Sequence, residues 1–228
     1  MNDLKFFTNM PERDLYSRFS TILRNHTQFF DILVGYFRTS GFFRLYSAMK
    51  DIEEIRVLVG LNVDRKTVEI IDRVNGQPTI KQATEVFSDA VEAEFEEAPT
   101  SADVEKGVRY FIEWLKTGKL QLRMYVEAPL HAKVYIMRKD PNYADYYGSV
   151  ITGSSNFSEA GLVNNLEFNV ELRDCADVTF ALERFEELWQ HSVPVEDAYV
   201  QAIEKRTWLR GDITPYEIYL KTLYEFFR

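Results

Sequence analysis

The segment Leu130–Glu171, LHAKVYIMRKDPNYADYYGSVITGSSNFSEAGLVNNLEFNVE, limits the fold more than any other part of the chain, because it alternates, turns on a glycine and serine string, and alternates again. Successive side chains of a strand point to opposite faces, so His131, Lys133 and Tyr135 share one face while Ala132, Val134 and Ile136 share the other. A histidine and a lysine therefore look into the same space. A second alternating run, Tyr147–Thr152, opens into Gly153-Ser154-Ser155-Asn156, a turn-forming string in which backbone N–H groups can approach an anion. Gly153, Ser154 and Ser155 are the expected phosphate-binding positions. A third run, Asn165–Leu172, puts Leu166, Phe168, Val170 and Leu172 on one side and Glu167, Asn169 and Glu171 on the other, with Glu167 placed to accept a hydrogen bond from an imidazole.

In His131-x-Lys133, Gly153-Ser154-x-Asn156 and Asn165-x-Glu167 the chain resembles the phospholipase D-like (HKD) superfamily, of the nuclease and helicase-associated type. The resemblance covers about residues 12 to 190, with its specific motifs confined to 131–167. One position departs from it: five residues after the lysine, where the family carries an aspartate, this chain has Arg138, with Asp140 two residues further on. The stretch Asp140–Tyr146 also lengthens the distance from Lys133 to the Gly-Ser turn.

The resemblance implies an α/β fold, a mixed β-sheet flanked by helices on both faces. It implies phosphodiester cleavage with no cofactor and no metal, with His131, Lys133, Asn156 and Glu167 as catalytic residues. One His131 attacks phosphorus to give a phosphohistidine, and a second histidine protonates the departing hydroxyl and then helps water release the intermediate. Glu167 holds the imidazole, while Lys133 and Asn156, with Ser154 nearby, bind the non-bridging oxygens. The chain has a single His-x-Lys, so a homodimer with its site on the two-fold axis is expected.

Composition fits a globular chain: 228 residues, 46% hydrophobic and 14% aromatic, bury a sizeable core. The longest apolar run, around Phe29–Phe37, is broken by Asp31 and is far shorter than the roughly 20 residues that span a bilayer. With no basic-then-apolar start, a cytoplasmic location and no membrane partner are expected. Cys175 stands alone and the histidines are scattered at 26, 131 and 191, which argues against a thiolate zinc site or a histidine metal cluster. Residues 85–106 carry seven of the nine net negative charges, so the acidity is mostly one patch, while Arg123, Lys133, Arg138 and Lys139 leave a positive groove open around the motif.

Along the chain, helical spacing predicts helices over 12–28, 41–50, 64–73, 81–97, 101–116, 177–190 and 216–227, and apolar or alternating runs predict strands over 29–37, 55–61 and 120–126. The first strand, helix and second strand make a parallel crossover unit. The strand over 120–126 and the His131 strand, joined by few residues, are expected to pair antiparallel. His26 and His191 fall at helix ends, where structural roles are expected.

The domain reading is a phospholipase D-like domain over 1–210 and a C-terminal helical segment over 211–228, which resembles the segment linking this domain to an ATPase motor in bacterial helicases. No phosphate loop of a motor occurs in this chain. The leading expectation is a nuclease module acting on nucleic acid, DNA ahead of RNA, in defence, restriction or repair. The alternatives are a non-cleaving nucleic-acid-binding module, favoured by the Arg138 departure, and a lipid phosphodiesterase.

Overall fold

In the computed structural model the described residues are 5–11, 14–60, 102–140, 142, 147–195 and 215–227. The helices expected over 64–73 and 81–97, and the boundary at 210, lie outside them. Eight strands form one mixed sheet in the order β1-β7-β6-β5-β2-β3-β4-β8. They are β1 Phe6–Phe7, β2 Phe29–Val34, β3 Glu54–Gly60, β4 Leu120–Tyr125, β5 Lys133–Arg138, β6 Gly148–Gly153, β7 Asn169–Leu172 and β8 Val193–Pro194. The described helices are α1 Leu15–His26, α2 Thr39–Leu45, α3 Ala102–Thr117, α4 Cys175–Gln190 and α5 Pro215–Phe227.

Local chemistry accounts for the helix ends. Asp14 caps α1, its carboxylate accepting from the N–H groups of Tyr16 and Ser17 at 2.9 and 3.2 Å. Asp174 caps α4 by accepting from Ala176 N–H, so the helix starts ahead of the expected 177. Gly118, at φ +75°, ends α3. The first turn of α5 is tied to the body where Glu105 of α3 accepts from Tyr216 N–H at 2.6 Å.

Helices cover both faces, as the fold class requires. One face carries α1, α2 and α3, which bury Leu15, Phe19, Ile22, Leu23, Phe42, Phe111 and Leu115 against Phe30, Ile32, Val57, Leu122 and Tyr135. Burying each such side chain contributes about 1.5–3 kcal/mol. The other face carries α4, whose Val178, Phe185 and Trp189 pack on Leu33, Leu58, Ile136 and Val150.

The crossover unit is present: β2 and β3 pair in parallel, and so do β3 and β4. The expected β4–β5 pairing is not. β5 pairs antiparallel with β2 on one side and β6 on the other, so β3 and β2 separate it from β4. The chain reaches β5 by crossing the carboxyl ends of β3 and β2, and two glycines open that path. A Cβ on Gly60 would sit 2.4 Å from Leu130 O, and one on Gly35 would sit 2.9 Å from the same atom and 3.0 Å from His131 Cα.

The alternation over 165–172 is also resolved differently from the usual apolar-in rule. Strand geometry begins only at Asn169, and the polar side turns inward: Asn169 and Glu171 are buried while Leu166 and Phe168 are 65% and 63% exposed. Both buried groups have specific partners. Glu171 accepts from Arg18 of α1 and from Arg173, each at 2.7 Å, and Asn169 bonds to Ser155.

Candidate active site

The carboxyl ends of the parallel strands β2, β3 and β4 lie at the same edge of the sheet as the start of β5, the end of β6 and the start of β7. The register fixes this, pairing Val34 with Lys133, Val134 with Thr152, and Gly153 with Asn169. At this edge a parallel neighbour of β2 gives way to an antiparallel one, a place where α/β sheets commonly open a binding crevice.

His131 sits just before β5, exposed, with Lys133 Nζ 3.1 Å from its Nε2 and 3.5 Å from its Nδ1. The shared face read from the alternation is therefore realised as a contact. Burial pushes the Lys133 ammonium below its ordinary pKa of 10.5, and the carboxylate of Glu167 works in the opposite direction. Beneath them Tyr135 is fully buried and donates to Ser155 O at 2.8 Å. Burial first, and then Glu167, hold its phenol well above its ordinary pKa. Tyr135 thus acts as a neutral strut between β5 and the turn.

The turn itself is tightly specified. Ser154 N–H donates to Phe168 O at 3.0 Å, and Phe168 N–H donates to Ser154 Oγ at 3.1 Å. Gly153 owes its identity to the close β6–β7 approach, since a Cβ there would meet Phe168 O at 2.2 Å. Ser155, grouped by sequence with the phosphate-binding residues, is fully buried. Its N–H donates to Asn169 Oδ1 at 3.4 Å and its Oγ accepts from Asn169 Nδ2 at 2.9 Å. Ser155 shapes the turn from below, and the backbone N–H groups of Ser154 and Ser155 are both engaged inside the protein. Of that set, the hydroxyl of Ser154 faces the exposed rim.

Glu167 departs from its expected role as an acceptor from His131. Its carboxylate accepts from Ser154 Oγ and, at 3.3 Å, from Asn165 Nδ2, both closer in the chain than the imidazole. Its influence on Lys133 and Tyr135 is through charge. Asn156 follows the turn with its Oδ1 buried and without a hydrogen-bond partner among the described residues. Its carbonyl accepts from Ser158 N–H at 2.8 Å, ahead of a π-helical turn over Ala160–Asn164.

The basic groups expected to line a groove are divided. Arg138 lies on the opposite face, donating to the buried Asp31 at 3.0 Å, and Arg123 donates to Ser192 O at 2.9 Å with its guanidinium over Trp189. His191 caps α4 and lies 3.3 Å from Glu127, and His26 ends α1. Asp31 joins Arg138 to Arg56, which donates to it at 2.6 Å and to Glu186 at 2.7 Å. The sequence signal for this network was the one acid interrupting the apolar Phe29–Phe37 run. Among the described residues no group of three or more His, Cys, Asp or Glu side chains is arranged to hold a metal ion.

The sequence profile of the family described as "Cardiolipin synthase, PLD-like domain" matches residues 20–189. No curated protein sequence matches the chain. Among solved structures, Nuc from Salmonella typhimurium, a phospholipase D family member, is 15% identical, with a TM-score of 0.47 over 83% of this chain and 95% of that one. NucT from Helicobacter pylori is 16% identical, with a TM-score of 0.47 over 83% and 96%. Phosphatidylserine synthase from Haemophilus influenzae shares the fold at 13% identity and a TM-score of 0.53, over 97% of this chain and 44% of that one. The profile takes in the His131, turn and Glu167 elements together and spans most of the chain, which therefore belongs to the phospholipase D-like domain family.

Proposed function

We propose that the chain is a metal-independent phosphodiesterase that cleaves nucleic acid through a phosphohistidine intermediate, working as a homodimer. The observation that carries this reading is the 3.1 Å approach of Lys133 Nζ to His131 Nε2 on an exposed edge of the sheet, with Ser154 and Glu167 joined beside them. A cation next to a nucleophilic nitrogen can hold a phosphoryl oxygen while the nitrogen attacks. The P–N bond forms as the P–O bond to the leaving group breaks, and an imidazolium supplies the proton that group needs. Water then attacks phosphorus, giving its proton to the now neutral acid, and the P–N bond breaks.

His26 and His191 sit at helix ends, so the acid is assigned to the partner's His131, brought to the same phosphate by two-fold pairing. A polymeric substrate suits an open rim: His131, Gly153 and Ser154 are all exposed, so an internal diester with chain on both sides can lie across them. The non-cleaving alternative drew on Arg138, which lies on the other face and five residues along β5. The lipid alternative is favoured by the description of the matched family, cardiolipin synthase.

The test uses purified protein with chelator present, offered single- and double-stranded DNA, RNA and phospholipid vesicles. Nucleic acid should be cut in chelator, His131→Asn should abolish the cutting, and the native mass should be that of a dimer. Activity lost in chelator and restored by magnesium would remove the histidine mechanism, and turnover of lipid alone would establish the lipid reading.

A further inference from the structure

The short segment between the π-helical turn and β7 exposes apolar side chains beside the site. It is fastened at both ends. Asn165 N–H donates to Ala160 O at 2.8 Å, and Phe168 exchanges two hydrogen bonds with Ser154, its N–H donating to Ser154 Oγ at 3.1 Å and its carbonyl accepting from Ser154 N–H at 3.0 Å. Between those ties Leu166 and Phe168, 65% and 63% exposed, stand on either side of Glu167. Because Asn169 and Glu171 occupy the inner side of β7 with hydrogen-bonded partners, the apolar side of the run has no place in the core. Apolar exposure continues onto the sheet edge, where Phe6, opposite Val170 in the β1–β7 ladder, is 58% exposed. Single exposed apolar residues are ordinary, but large ones gathered on adjoining segments mark a contact surface.

We propose that Leu166 and Phe168 form the apolar centre of the contact with a second copy of this chain, across the two-fold axis that brings two His131 residues to one phosphate. This rests on the homodimer of the function proposed above and names the surface that holds it together. Location decides the partner. Ser154, which the Phe168 backbone holds, is joined to Glu167 and stands two residues beyond Thr152, the partner of Val134 in the strand that follows His131. In an isologous dimer the same patch meets itself, so an axis passing close to His131 draws in the surface beside it on both copies. The site also lacks its second histidine without that copy. A nucleic-acid strand would find in Leu166 neither a charge for its phosphates nor an aromatic face for its bases. Both copies contribute both side chains, with Ser154, Asn165 and Glu167 as the polar border, which matches the apolar core and polar rim of stable interfaces.

The experiment measures the dimer dissociation constant of the full chain by sedimentation over a dilution series, for the parent and for Leu166→Ser, Phe168→Ser and Phe180→Ser. Phe180, on α4, is 64% exposed and serves as an apolar residue of similar exposure elsewhere. Each position occurs twice in the dimer, so Kd should rise about hundredfold in Phe168→Ser and about tenfold in Leu166→Ser, with Phe180→Ser unchanged. Activity on an oligodeoxynucleotide should be lost on dilution at correspondingly higher protein concentration, and should return to the parent's value per molecule once the variant is concentrated enough to pair. The substitutions keep the backbone bonds of Phe168 to Ser154, and matched thermal midpoints confirm folded proteins. A parent dimer whose Kd is unmoved by Leu166→Ser and Phe168→Ser, or moved as far by Phe180→Ser, would overturn this surface and leave the homodimer standing. A parent that is monomeric at every concentration would remove the homodimer itself, and this contact with it. Variants that pair like the parent but lose binding to phospholipid vesicles would make the patch a lipid surface instead. The dissociation constants decide even if no substrate is cut.

Discussion

The two ends of β5 are built to opposite specifications. At Lys133 the strand meets an exposed histidine, and the nearby hydroxyl and carboxylate of Ser154 and Glu167 face solvent or one another. Five residues along, about 17 Å at strand rise, Arg138 turns to the other face and is fixed to Asp31, which is 1% exposed and is also held by Arg56. Burial opposes the charge on Arg56, yet Asp31 and Glu186 outweigh it and hold the guanidinium protonated. The departure from the family pattern falls at the locked end. A substitution there acts on how the sheet is held, while the residues of the proposed chemistry stand at the open end.

Breaking the locked end should give the largest effect on stability. Asp31→Ala leaves two largely buried guanidinium groups without their shared carboxylate and should cost about 3–5 kcal/mol. His131→Asn, at an exposed position, should stay within about 0.5 kcal/mol of the parent while losing turnover. Arg138→Asp installs the residue type of the family pattern beside Asp31, where two carboxylates repel, and should cost about 1–3 kcal/mol without raising activity per folded molecule. Denaturant midpoints and activity on one set of samples read all three. A stable Asp31→Ala protein would mean that apolar packing under α4, and not charge, holds this end.

Sequence made the open end easier to read than the locked one, for a physical reason. His131 and Lys133 are separated by the strand period, so their contact follows from local geometry. The parallel β2–β3 unit and most helices follow from periodicity in the same way. Asp31, Arg56, Arg138 and Glu186 come from four elements, and nothing local in any of them announces the other three. The wrong pairing of β4 with β5 had a similar origin. A short connection suggests a hairpin, and only the contacts of Leu130 with Gly60 and Gly35 explain how it crosses two strands instead. Over 165–172 the alternation itself was visible, but the usual inward preference of apolar residues was overridden. Asn169 is paired with Ser155 in the turn, and Glu171 with Arg18 of α1 as well as with its near neighbour Arg173, so two of these three partners lie outside the run.

The Glu171 cluster allows the comparison to be sharpened with pH. Burial pushes its carboxyl up, but hydrogen bonds and charge from Arg18 and Arg173 outweigh burial and hold it below its ordinary 4.5. In the unfolded chain the same carboxyl takes its proton near the ordinary value, so between the two values the unfolded state binds more protons. The stabilisation is therefore complete above about pH 5 and is lost as pH falls through the folded value. Glu171→Gln should be less stable than the parent at pH 7, and its acid-side decline should be shallower. Unfolding midpoints taken from pH 7 to 3 test this, and parallel curves for the two proteins would remove Glu171 as the source.

The smallest expected effect belongs to the open end. Burial lowers the Lys133 pKa from 10.5, and the charge of Glu167 partly restores it. Since only the protonated amine donates to a phosphoryl oxygen, kcat/KM should decline on the alkaline side as Lys133 loses its proton. Glu167→Gln removes the restoring charge while keeping an acceptor for Ser154 Oγ, so the amine should give up its proton more easily and the alkaline limb should move to lower pH. The same shift should have little bearing on folding, because burial and the charge of Glu167 act on Lys133 in opposite directions, so unfolding midpoints should hardly follow it. The measurement is a pH–rate profile of parent and Glu167→Gln on a small diester, read for the position of the limb and not for its height. A limb that stays in place, or moves upward, would show that Glu167 does not act on Lys133 through charge and that the open end is tuned by burial alone.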